Sequence, residues 1–153
     1  MNYVENLRKL IGHDPVILVG SVTVVVNEEN RILLQKRKAT SYGVWGLPGG
    51  LMELKESTEE TARREVFEES GLIVGDLHLL DVISGSNCYI KVSNGDEFYS
   101  VTVAYFTNEV SGELKIDKSE SLDLKFFKLN ELPEKIVGSH KRVIGSYLEK
   151  CLI

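Results

Sequence analysis

The sequence predicts an α/β fold in which helices pack on the faces of a mixed β-sheet. Three observations support this prediction: β-branched runs alternate with segments of helical periodicity, one clearly delimited helix lies near the middle of the chain, and another helical segment ends it. The 153 residues match the size of an average domain. We therefore expect residues 1–153 to form a single domain with an ordinary hydrophobic core.

The N-terminal part of the chain should form one helix and two strands. Apolar side chains recur at helical spacing over residues 4–11, which predicts a short amphipathic helix that ends before Gly12. Residues 16–26 are rich in β-branched side chains and predict a buried strand. Residues 31–37 predict a second strand, and the polar turn 27–30 between the two indicates a β-hairpin.

Residues 38–55 are predicted to form a shaped loop. Glycine lets the main chain bend tightly and approach a ligand, and Pro48 fixes one backbone angle. The segment lacks the Lys-Ser/Thr pair of a phosphate-binding P-loop, and glycine-rich turns are commonly turns without a ligand. Four glycines lie within it: Gly43, Gly46, Gly49 and Gly50.

Residues 57–70 have the best-marked ends of any predicted helix. Ser57 and Glu60 form the pattern of a capping box, and Gly71 is the residue type that commonly ends a helix in the left-handed conformation. After this helix, the turn Asn94-Gly95 predicts a hairpin, and apolar side chains at helical spacing predict a helix over residues 139–151 that packs on the sheet. Four further strands are predicted, at residues 77–83, 89–92, 97–107 and 124–129.

The composition excludes several classes of protein. With 18 basic and 23 acidic residues the net charge is −5, which disfavours binding to the phosphate backbone of nucleic acids or to an anionic membrane. Residues 1–11 offer no export signal, and the longest apolar run, 16–26, is too short to cross a bilayer. Cys88 and Cys151 have no CxxC spacing, which is typical of reduced thiols. We expect a cytoplasmic protein.

The predicted central helix carries an unusual concentration of acidic residues. Glu65, Glu68 and Glu69 stand at i, i+3 and i+4, within an arc of about 100°. Like charges at these spacings repel, and Glu68 and Glu69 also lie in the last turn, where the helix dipole is already negative. A bound Mg²⁺ or Mn²⁺ would remove the conflict, since hard divalent cations prefer carboxylate oxygens. These three glutamates are therefore candidate metal ligands.

An alternative explanation of the same residues needs no metal. The acidic face could be solvated and partly neutralised by Arg63 and Arg64, with Arg64 pairing Glu60 or Glu68 one helical turn away. Charge placement alone leaves both explanations open. The histidines show no metal-ligand spacing and are predicted to be surface residues: His13, His78 and His140.

The sequence GLMELKESTEETARREVFEESGL at residues 50–72 resembles the Nudix box, G-x5-E-x7-R-E-U-x-E-E-x-G-U with U aliphatic, and fills every specified position. The flanking segments 33–37 and 45–50 also look like those of MutT-type members. One position departs from the commoner form, in which a glycine precedes the first glutamate of the box, because this chain has Lys55 there. This departure leaves the loop geometry around Glu56 open.

The resemblance implies a Nudix-type α/β/α sandwich around a mixed β-sheet and a hydrolase that cleaves the pyrophosphate of a nucleoside diphosphate linked to another group. It also implies Mg²⁺ or Mn²⁺ as cofactor. Because a pyrophosphate is polyanionic, divalent ions would be needed to bridge it to an acidic face and to activate water. The expected partner is a small-molecule nucleotide, with a homodimer left open.

The family pattern assigns a role to each matching residue. It implies metal ligation by Glu65, Glu68 and Glu69, with Glu56 and Gly50 completing the set, and an orienting role for Arg64 through charge-assisted hydrogen bonds to the carboxylates. Glu53 and Glu120 are candidates for the base that takes the proton of water, because members of the family differ in that residue. Exposed loop positions would explain both glutamates without a catalytic role.

Other residues are candidates for substrate binding. Arg37 lies at a strand end, and its planar guanidinium suits bidentate contacts with phosphate, although a solvated strand end is a comparable explanation. Gly49 and Gly50 would allow close approach of the backbone to the substrate. Aromatic rings could stack on a base or belong to the core, and the candidates are Trp45 and Tyr89, followed by Tyr42 and Tyr99.

The substrate itself is the least determined part of the function. Members that act on ADP-ribose often carry a proline beyond the box, and this chain has none between Pro48 and Pro133. Tyr89 falls where members acting on dinucleoside polyphosphates tend to have a tyrosine, which is weak support. A nucleoside triphosphate, including an oxidised one, is therefore the default expectation. A non-catalytic nucleotide sensor or scaffold with the same fold is the alternative function.

Overall fold

The computed structural model describes residues 2–38 and 42–151. Within them lie three α-helices, α1 (Tyr3–Ile11), α2 (Thr58–Ser70) and α3 (Gly138–Cys151). The strands are β1 (Val16–Val25), β2 (Ile32–Arg37), β3 (Trp45–Gly46), β4 (Gly49–Leu51), β5 (Leu72–Val74), β6 (His78–Ile83), β7 (Tyr89–Lys91), β8 (Glu97–Thr107), β9 (Val110–Gly112) and β10 (Ser121–Phe127). A short 3₁₀ turn, Ser86–Cys88, precedes β7.

The main sheet is mixed, as the sequence predicts. Its order is β4-β1-β8-β6, with β7 also paired to β8. β1 and β8 run parallel, whereas the β1–β4, β6–β8 and β7–β8 pairs are antiparallel. Two smaller sheets complete the fold, with orders β10-β2-β3 and β5-β9. The hairpin predicted at Asn94-Gly95 is confirmed by the pairing of β7 with β8.

The hairpin predicted between β1 and β2 is wrong. The turn itself is tight, since the backbone N–H of Asn27 donates to the carbonyl of Arg31 at 3.0 Å and Asn30 has φ 59°. The two strands nevertheless meet through one isolated bridge, Val26–Ile32. β1 already pairs with β8 along its length and with β4 near its centre, so β2 pairs with β10 and β3 in a different sheet.

The core lies on both sides of the main sheet. Alternate side chains of a strand point to opposite faces, and β1 is buried on both. Val24 faces the cluster that contains Val143 of α3, whereas Val25 faces the cluster that contains Val66 of α2. The sheet is therefore covered by a helix on each side, which confirms the α/β fold class with its helices on the two faces.

The segment 38–55 contains two short strands that its glycines did not predict. A Cβ atom at Gly49 would overlap the backbone oxygen of Ser21, and one at Gly20 would lie 2.7 Å from the backbone oxygen of Gly50. Two backbones therefore approach each other more closely than side chains allow. The glycines permit β4 to pair with β1, which places residues 49–51 beside α2.

Several smaller expectations can be compared with the structure. β10 begins earlier than predicted because Ser121 pairs with Arg37 of β2. β5 and β9, at three residues each, are too short to show periodicity in the sequence. Cys88 and Cys151 are free thiols, as expected. None of the helices in the described residues is long and apolar enough to span a membrane.

Candidate active site

The ends of α2 are fixed by local hydrogen bonds, which sets the direction of its glutamates. The Ser57 hydroxyl accepts from the Glu60 N–H at 3.0 Å, and the Glu60 carboxylate accepts from the Ser57 N–H at 3.2 Å. This is the predicted capping box. Gly71 ends the helix with φ 76° in the left-handed region. The helix register that these ends define brings Glu65 and Glu69 against β4.

Glu69 is the most deeply placed of the three acidic residues. Its Oε1 accepts a hydrogen bond from the Gly49 N–H at 2.9 Å. Burial, and secondly the charge of Glu65, raise the pKa of this carboxyl to about 8, although the Gly49 N–H, Gln35 and Arg37 act in the opposite direction. Burial and the charge of Glu65 thus outweigh the nearby Arg37, and a bound cation would add the positive charge that favours the ionised carboxylate.

Glu65 lies next to Glu69 and directly against the glycine that begins the box. A Cβ atom on Gly50 would overlap the Glu65 carboxylate, so a glycine is required where β4 crosses α2. Burial raises the pKa of Glu65, and the charges of Glu68 and Glu120 add to that rise, whereas Arg64 opposes it. The structure therefore places four carboxylates close enough to influence one another.

Arg64 joins Glu56, Glu65 and Glu68 in a single hydrogen-bonded group. Its Nε and Nη2 donate to the two oxygens of Glu56 at 2.6 and 2.9 Å, a bidentate pair. Its Nη1 donates to Glu65 at 2.8 Å and to Glu68 at 3.3 Å, and Nη2 also donates to the Leu51 carbonyl at 3.0 Å. This arrangement suits the orienting role that the sequence resemblance implies for Arg64.

The loop that carries Glu56 has the geometry that the box requires despite the missing glycine. Lys55 has φ 74°, in the left-handed region that favours glycine. Glu56 accepts from the Glu53 N–H at 2.8 Å and from the Thr61 hydroxyl at 3.0 Å in addition to Arg64. The hydrogen bonds from Arg64 lower the pKa of Glu56 to about 2. Lys55 thus adopts a left-handed backbone conformation, although it is not a glycine.

The remaining predicted acidic residues occupy different places. Glu68 lies at the rim of the helix with a side chain 53% exposed. Glu120 lines the cleft beside Glu69. Glu53 instead accepts a hydrogen bond from the backbone N–H of Tyr3 at 2.8 Å and faces α1. The structure therefore brings Glu120 to the acidic group and leaves the Glu53 side chain away from it.

Two cavities meet at Gly49. The first, which we call the acidic cleft, measures about 450 Å³ and joins basic to acidic side chains across its width. Burial lowers the pKa of Arg37 on its wall, and the nearby Glu69 opposes that change. The residues that line it are Gln35, Arg37, Lys38, Gly49, Glu69, Ser119 and Glu120. Gln35 was not predicted as a site residue because it lies inside an apolar strand.

The second cavity, which we call the apolar cavity, measures about 220 Å³ and lies on the other side of β4. Ile90, Val92 and Phe98 belong to its apolar lining. Polar and charged side chains also line it: Ser21, Arg37, Ser100, Thr102, Ser139 and His140. Gly49 and Gly50 line it from the strand that separates it from α2. A ligand with charged and apolar parts could therefore contact both cavities around these glycines.

The surface position predicted for His140 is wrong. This residue is only 6% exposed, and its Nδ1 accepts a hydrogen bond from the Leu47 N–H at 3.0 Å. Burial, and secondly Arg37, lower its pKa to about 3. His140 shares a helical face with Val143, Ile144 and Tyr147, and that spacing in the sequence could have indicated burial. His13 and His78 are exposed, as predicted.

The aromatic candidates lie outside both cavities. Trp45 packs edge-on against Phe127 with ring centroids 4.8 Å apart, as part of the hydrophobic core. Tyr89 donates a hydrogen bond to Glu97, and its ring centroid lies 5.4 Å from that of Tyr99. Tyr42 is 70% exposed. Packing explains the position of Trp45, and no contact with the cavities supports stacking by Trp45 or Tyr89.

The donor atoms of the acidic residues suit a divalent cation, but their present arrangement does not form a coordination site. Carboxylate oxygens on α2 are the donors that Mg²⁺ and Mn²⁺ prefer. Within residues 2–38 and 42–151, no group of three acidic, histidine or cysteine side chains is arranged to hold an ion as it stands. Arg64 engages Glu65 and Glu68, so these two carboxylates would have to turn from the guanidinium toward Glu69 to share a cation.

Comparisons with known proteins show which family the chain resembles. Residues 18–147 match the family described as NUDIX domain. The chain is 33% identical to an ADP-ribose pyrophosphatase of Methanocaldococcus jannaschii over 84% of this chain and 72% of that protein, and 31% identical to a putative 8-oxo-dGTP diphosphatase of Bacillus subtilis over 84% and 78%. A crystal structure of a MutT NUDIX hydrolase from Burkholderia pseudomallei superposes with a TM-score of 0.73 at 31% identity, covering 85% of this chain and 97% of that one.

Proposed function

The chain belongs to the Nudix hydrolase family, and from that premise we propose that it is a divalent-metal-dependent enzyme that hydrolyses a phosphoanhydride bond in a nucleoside diphosphate derivative. In this reaction water adds across a P–O–P bridge and releases two phosphorylated products. The observation that carries the proposal is the acidic cleft, in which Glu69 stands beside Glu65 and faces Arg37.

The charges around the cleft are consistent with this reaction when a cation is present. Three carboxylates on one helix repel a polyanionic pyrophosphate. A bound Mg²⁺ or Mn²⁺ would neutralise phosphate oxygens and lower the pKa of a coordinated water. Arg37 and Lys38 on the facing wall can contact the remaining phosphate oxygens. The proposed substrate therefore lies between the acidic helix and the end of β2.

The side chains of the site take distinct roles in this proposal. Glu65, Glu68 and Glu69 would hold the metal, and Gly50 leaves the space that the Glu65 carboxylate occupies. Arg64 and Glu56 keep those carboxylates in place through the bidentate pair. Glu120 is the better candidate for the base that accepts the proton of water, because it lines the cleft. Glu53 is the weaker one, since its side chain is bound to the Tyr3 N–H.

For the substrate we propose a nucleoside triphosphate, with the phosphates in the acidic cleft and the nucleoside in the apolar cavity. The Bacillus subtilis relative carries the name of a putative 8-oxo-dGTP diphosphatase, which supports this choice. ADP-ribose is a second candidate, favoured by the name of the Methanocaldococcus jannaschii relative. The missing proline beyond the box does not support ADP-ribose, and the two substrates share the pyrophosphate that the acidic cleft fits.

The remaining features of the proposal concern the setting of the reaction. We expect residues 1–153 to act as one domain in the cytoplasm, where the free thiols Cys88 and Cys151 would stay reduced. The net charge of −5 favours a small nucleotide over a nucleic-acid polymer or a membrane as partner. A homodimer stays open and is measured by size-exclusion chromatography with light scattering.

A substrate screen tests the proposed reaction. Purified protein is incubated with Mg²⁺ and, in turn, nucleoside triphosphates, 8-oxo-dGTP, ADP-ribose, nucleotide sugars and dinucleoside polyphosphates, and the phosphorylated products are identified by mass spectrometry. Glu68→Gln and Glu69→Gln should remove turnover, whereas Glu59→Gln, an exposed glutamate on the same helix, should not. Turnover that both variants retain would contradict the mechanism. Tight nucleotide binding by calorimetry without any turnover would instead support the sensor function.

A further inference from the structure

The wall of the apolar cavity contains one imidazole, together with apolar side chains, the hydroxyl groups of serine and threonine residues, and the guanidinium of Arg37. His140 comes from the first turn of α3, and Ile90, Val92 and Phe98 come from β7, its flanking segment and β8. The imidazole is itself buried, with the residue only 6% exposed. A buried polar ring is normally fully hydrogen-bonded, so the partners of its two nitrogens indicate what it can do.

The hydrogen bond from Leu47 determines which nitrogen of the ring carries the proton. A backbone N–H can only donate, so the contact of 3.0 Å requires that Nδ1 accept. In a neutral imidazole the proton then lies on Nε2, which makes Nε2 a donor. Burial and the nearby Arg37 lower the pKa of His140 to about 3, so the ring is neutral at physiological pH. Within residues 2–38 and 42–151 the ring makes its one hydrogen bond through Nδ1, and Nε2 is not among the fully buried polar atoms that lack a partner, so Nε2 is accessible.

The position of the ring is fixed by the elements around it. A Cβ atom on Gly46 would lie 2.9 Å from Nδ1 of His140 and 3.3 Å from Nε of Arg37, so glycine makes room for both side chains. On the same face of α3, Val143 and Ile144 are buried in the core and anchor that turn of the helix. The Nε2–H group is therefore a preorganised donor rather than a mobile one.

We propose that the Nε2–H of His140 determines nucleoside specificity by donating a hydrogen bond to an uncharged acceptor atom of the substrate's nucleoside. This inference rests on the proposed function, in which the phosphates lie in the acidic cleft. A neutral donor near Ile90, Val92 and Phe98 suits a keto oxygen or ring nitrogen of a base, whereas the charged Arg37 on the same wall is the better donor to phosphate. Nucleosides without an acceptor at that position should bind more weakly.

Two substitutions separate the donor from the structural hydrogen bond. In His140→Asn the amide oxygen can take the place of Nδ1 and still accept from Leu47, but nothing replaces Nε2–H. In His140→Gln the amide nitrogen can reach the place of Nε2, but Leu47 loses its acceptor. We measure kcat and KM for dGTP, 8-oxo-dGTP and ADP-ribose, the inhibition constant of inorganic pyrophosphate, and the melting temperature of each variant.

The expected results differ between the two variants. His140→Asn should raise KM about tenfold for the preferred nucleotide, with kcat within about twofold and an unchanged inhibition constant for pyrophosphate, which lacks a nucleoside. His140→Gln should lower the melting temperature and keep KM within about twofold of the wild type. An unchanged KM in His140→Asn, or a pyrophosphate constant that rises with it, would overturn the inference. A wild type inactive on every nucleotide contradicts the proposed function itself, so the two failures are distinct.

Discussion

The acidic cleft and the apolar cavity lie on opposite sides of β4 and are built in opposite ways. The acidic group at the cleft comes mostly from one helix: Glu65 and Glu69 lie one turn apart on α2, and Arg64 joins Glu65 to Glu56. Glu120, from the segment before β10, adds one more carboxylate to the cleft wall. The apolar cavity collects side chains from β7, β8, β2 and α3, which are distant in the sequence. The cleft has the charges for chemistry on phosphates, and the cavity combines apolar side chains with the imidazole of His140.

This difference shows which part of a site a sequence motif encodes. A motif on one helix can be conserved in spacing because all its members share one local structure. A cavity assembled from distant elements depends on the whole fold, and its residues can change without altering the motif. In this chain we expect changes in the cleft to affect turnover and changes in the cavity to affect which nucleotide binds. The predictions below test that separation.

The largest effect is expected at Glu69. Glu69→Gln keeps the size of the side chain but removes the carboxylate that lies against Gly49. Loss of a residue that merely orients a metal ligand costs about 10- to 100-fold, so loss of a proposed ligand should lower kcat by at least about 100-fold. Steady-state rates with Mg²⁺ measure the change. Glu59→Gln on the exposed side of α2 is the control, and a similar loss in both variants would show a general effect on the helix.

A methyl group at Gly50 should disturb the cleft almost as strongly. In Gly50→Ala the added Cβ would overlap the Glu65 carboxylate and displace it, so we expect kcat to fall about 10- to 100-fold. Gly145→Ala is the matched control, since a Cβ there meets no atom within 4 Å of the described structure and α3 should gain about 0.5–1 kcal/mol of stability. Equal rates in Gly50→Ala and the wild type would contradict the position assigned to Glu65.

Replacing Arg64 with lysine should lower kcat less than the changes at Glu69 and Gly50. Arg64→Lys keeps the charge but cannot form the bidentate pair with Glu56, so kcat should fall about tenfold or more with little change in KM. The neighbouring Arg63→Lys is the control, because Arg63 contacts the Gly75 carbonyl rather than the acidic group. A large rise in KM for Arg64→Lys would indicate direct substrate contact instead of an orienting role.

The burial of His140 in the wall of the apolar cavity should be measurable in the pH dependence of the unfolding free energy. The folded pKa of His140, about 3, lies below the ordinary value of about 6.5. A lowered pKa contributes stability that is complete above pH 6.5 and is lost as the pH falls toward 3, because the unfolded chain takes up the proton first. His140→Asn should therefore weaken the fall in unfolding free energy between pH 7 and 4 by about 3 kcal/mol. Denaturant titrations measure it, and a fall in His140→Asn as steep as that of the wild type would contradict the burial of this ring.

The smallest effect is expected at Lys55. Its φ of 74° is costly for a residue with a side chain, so Lys55→Gly should relieve strain. The greater freedom of glycine in the unfolded chain opposes part of that gain, which leaves about 0.5–1 kcal/mol of stabilisation with kcat unchanged. Thermal melts and rates measure both. Destabilisation by glycine would mean that Lys55 contributes contacts that its exposed position does not show.

The sequence predicted the parts of this molecule that depend on local rules. Both ends of α2, the acidic face and the hairpin at Asn94-Gly95 follow from capping, helical spacing and turn chemistry. The partner of β2 was not predictable in this way, because it depends on β1 being already paired on both edges. The surface prediction for His140 rested on metal-ligand spacing alone and did not use the helical face that His140 shares with Val143.

Binding of Mn²⁺ in the absence of nucleotide tests the central claim most directly, namely that the glutamates of α2 hold divalent ions. Paramagnetic resonance of free Mn²⁺ in a titration gives the dissociation constant for the wild type, Glu69→Gln and His140→Asn. We predict that the wild type and His140→Asn bind Mn²⁺ equally and that Glu69→Gln binds it much more weakly. Equal Mn²⁺ binding by Glu69→Gln and the wild type would contradict the claim.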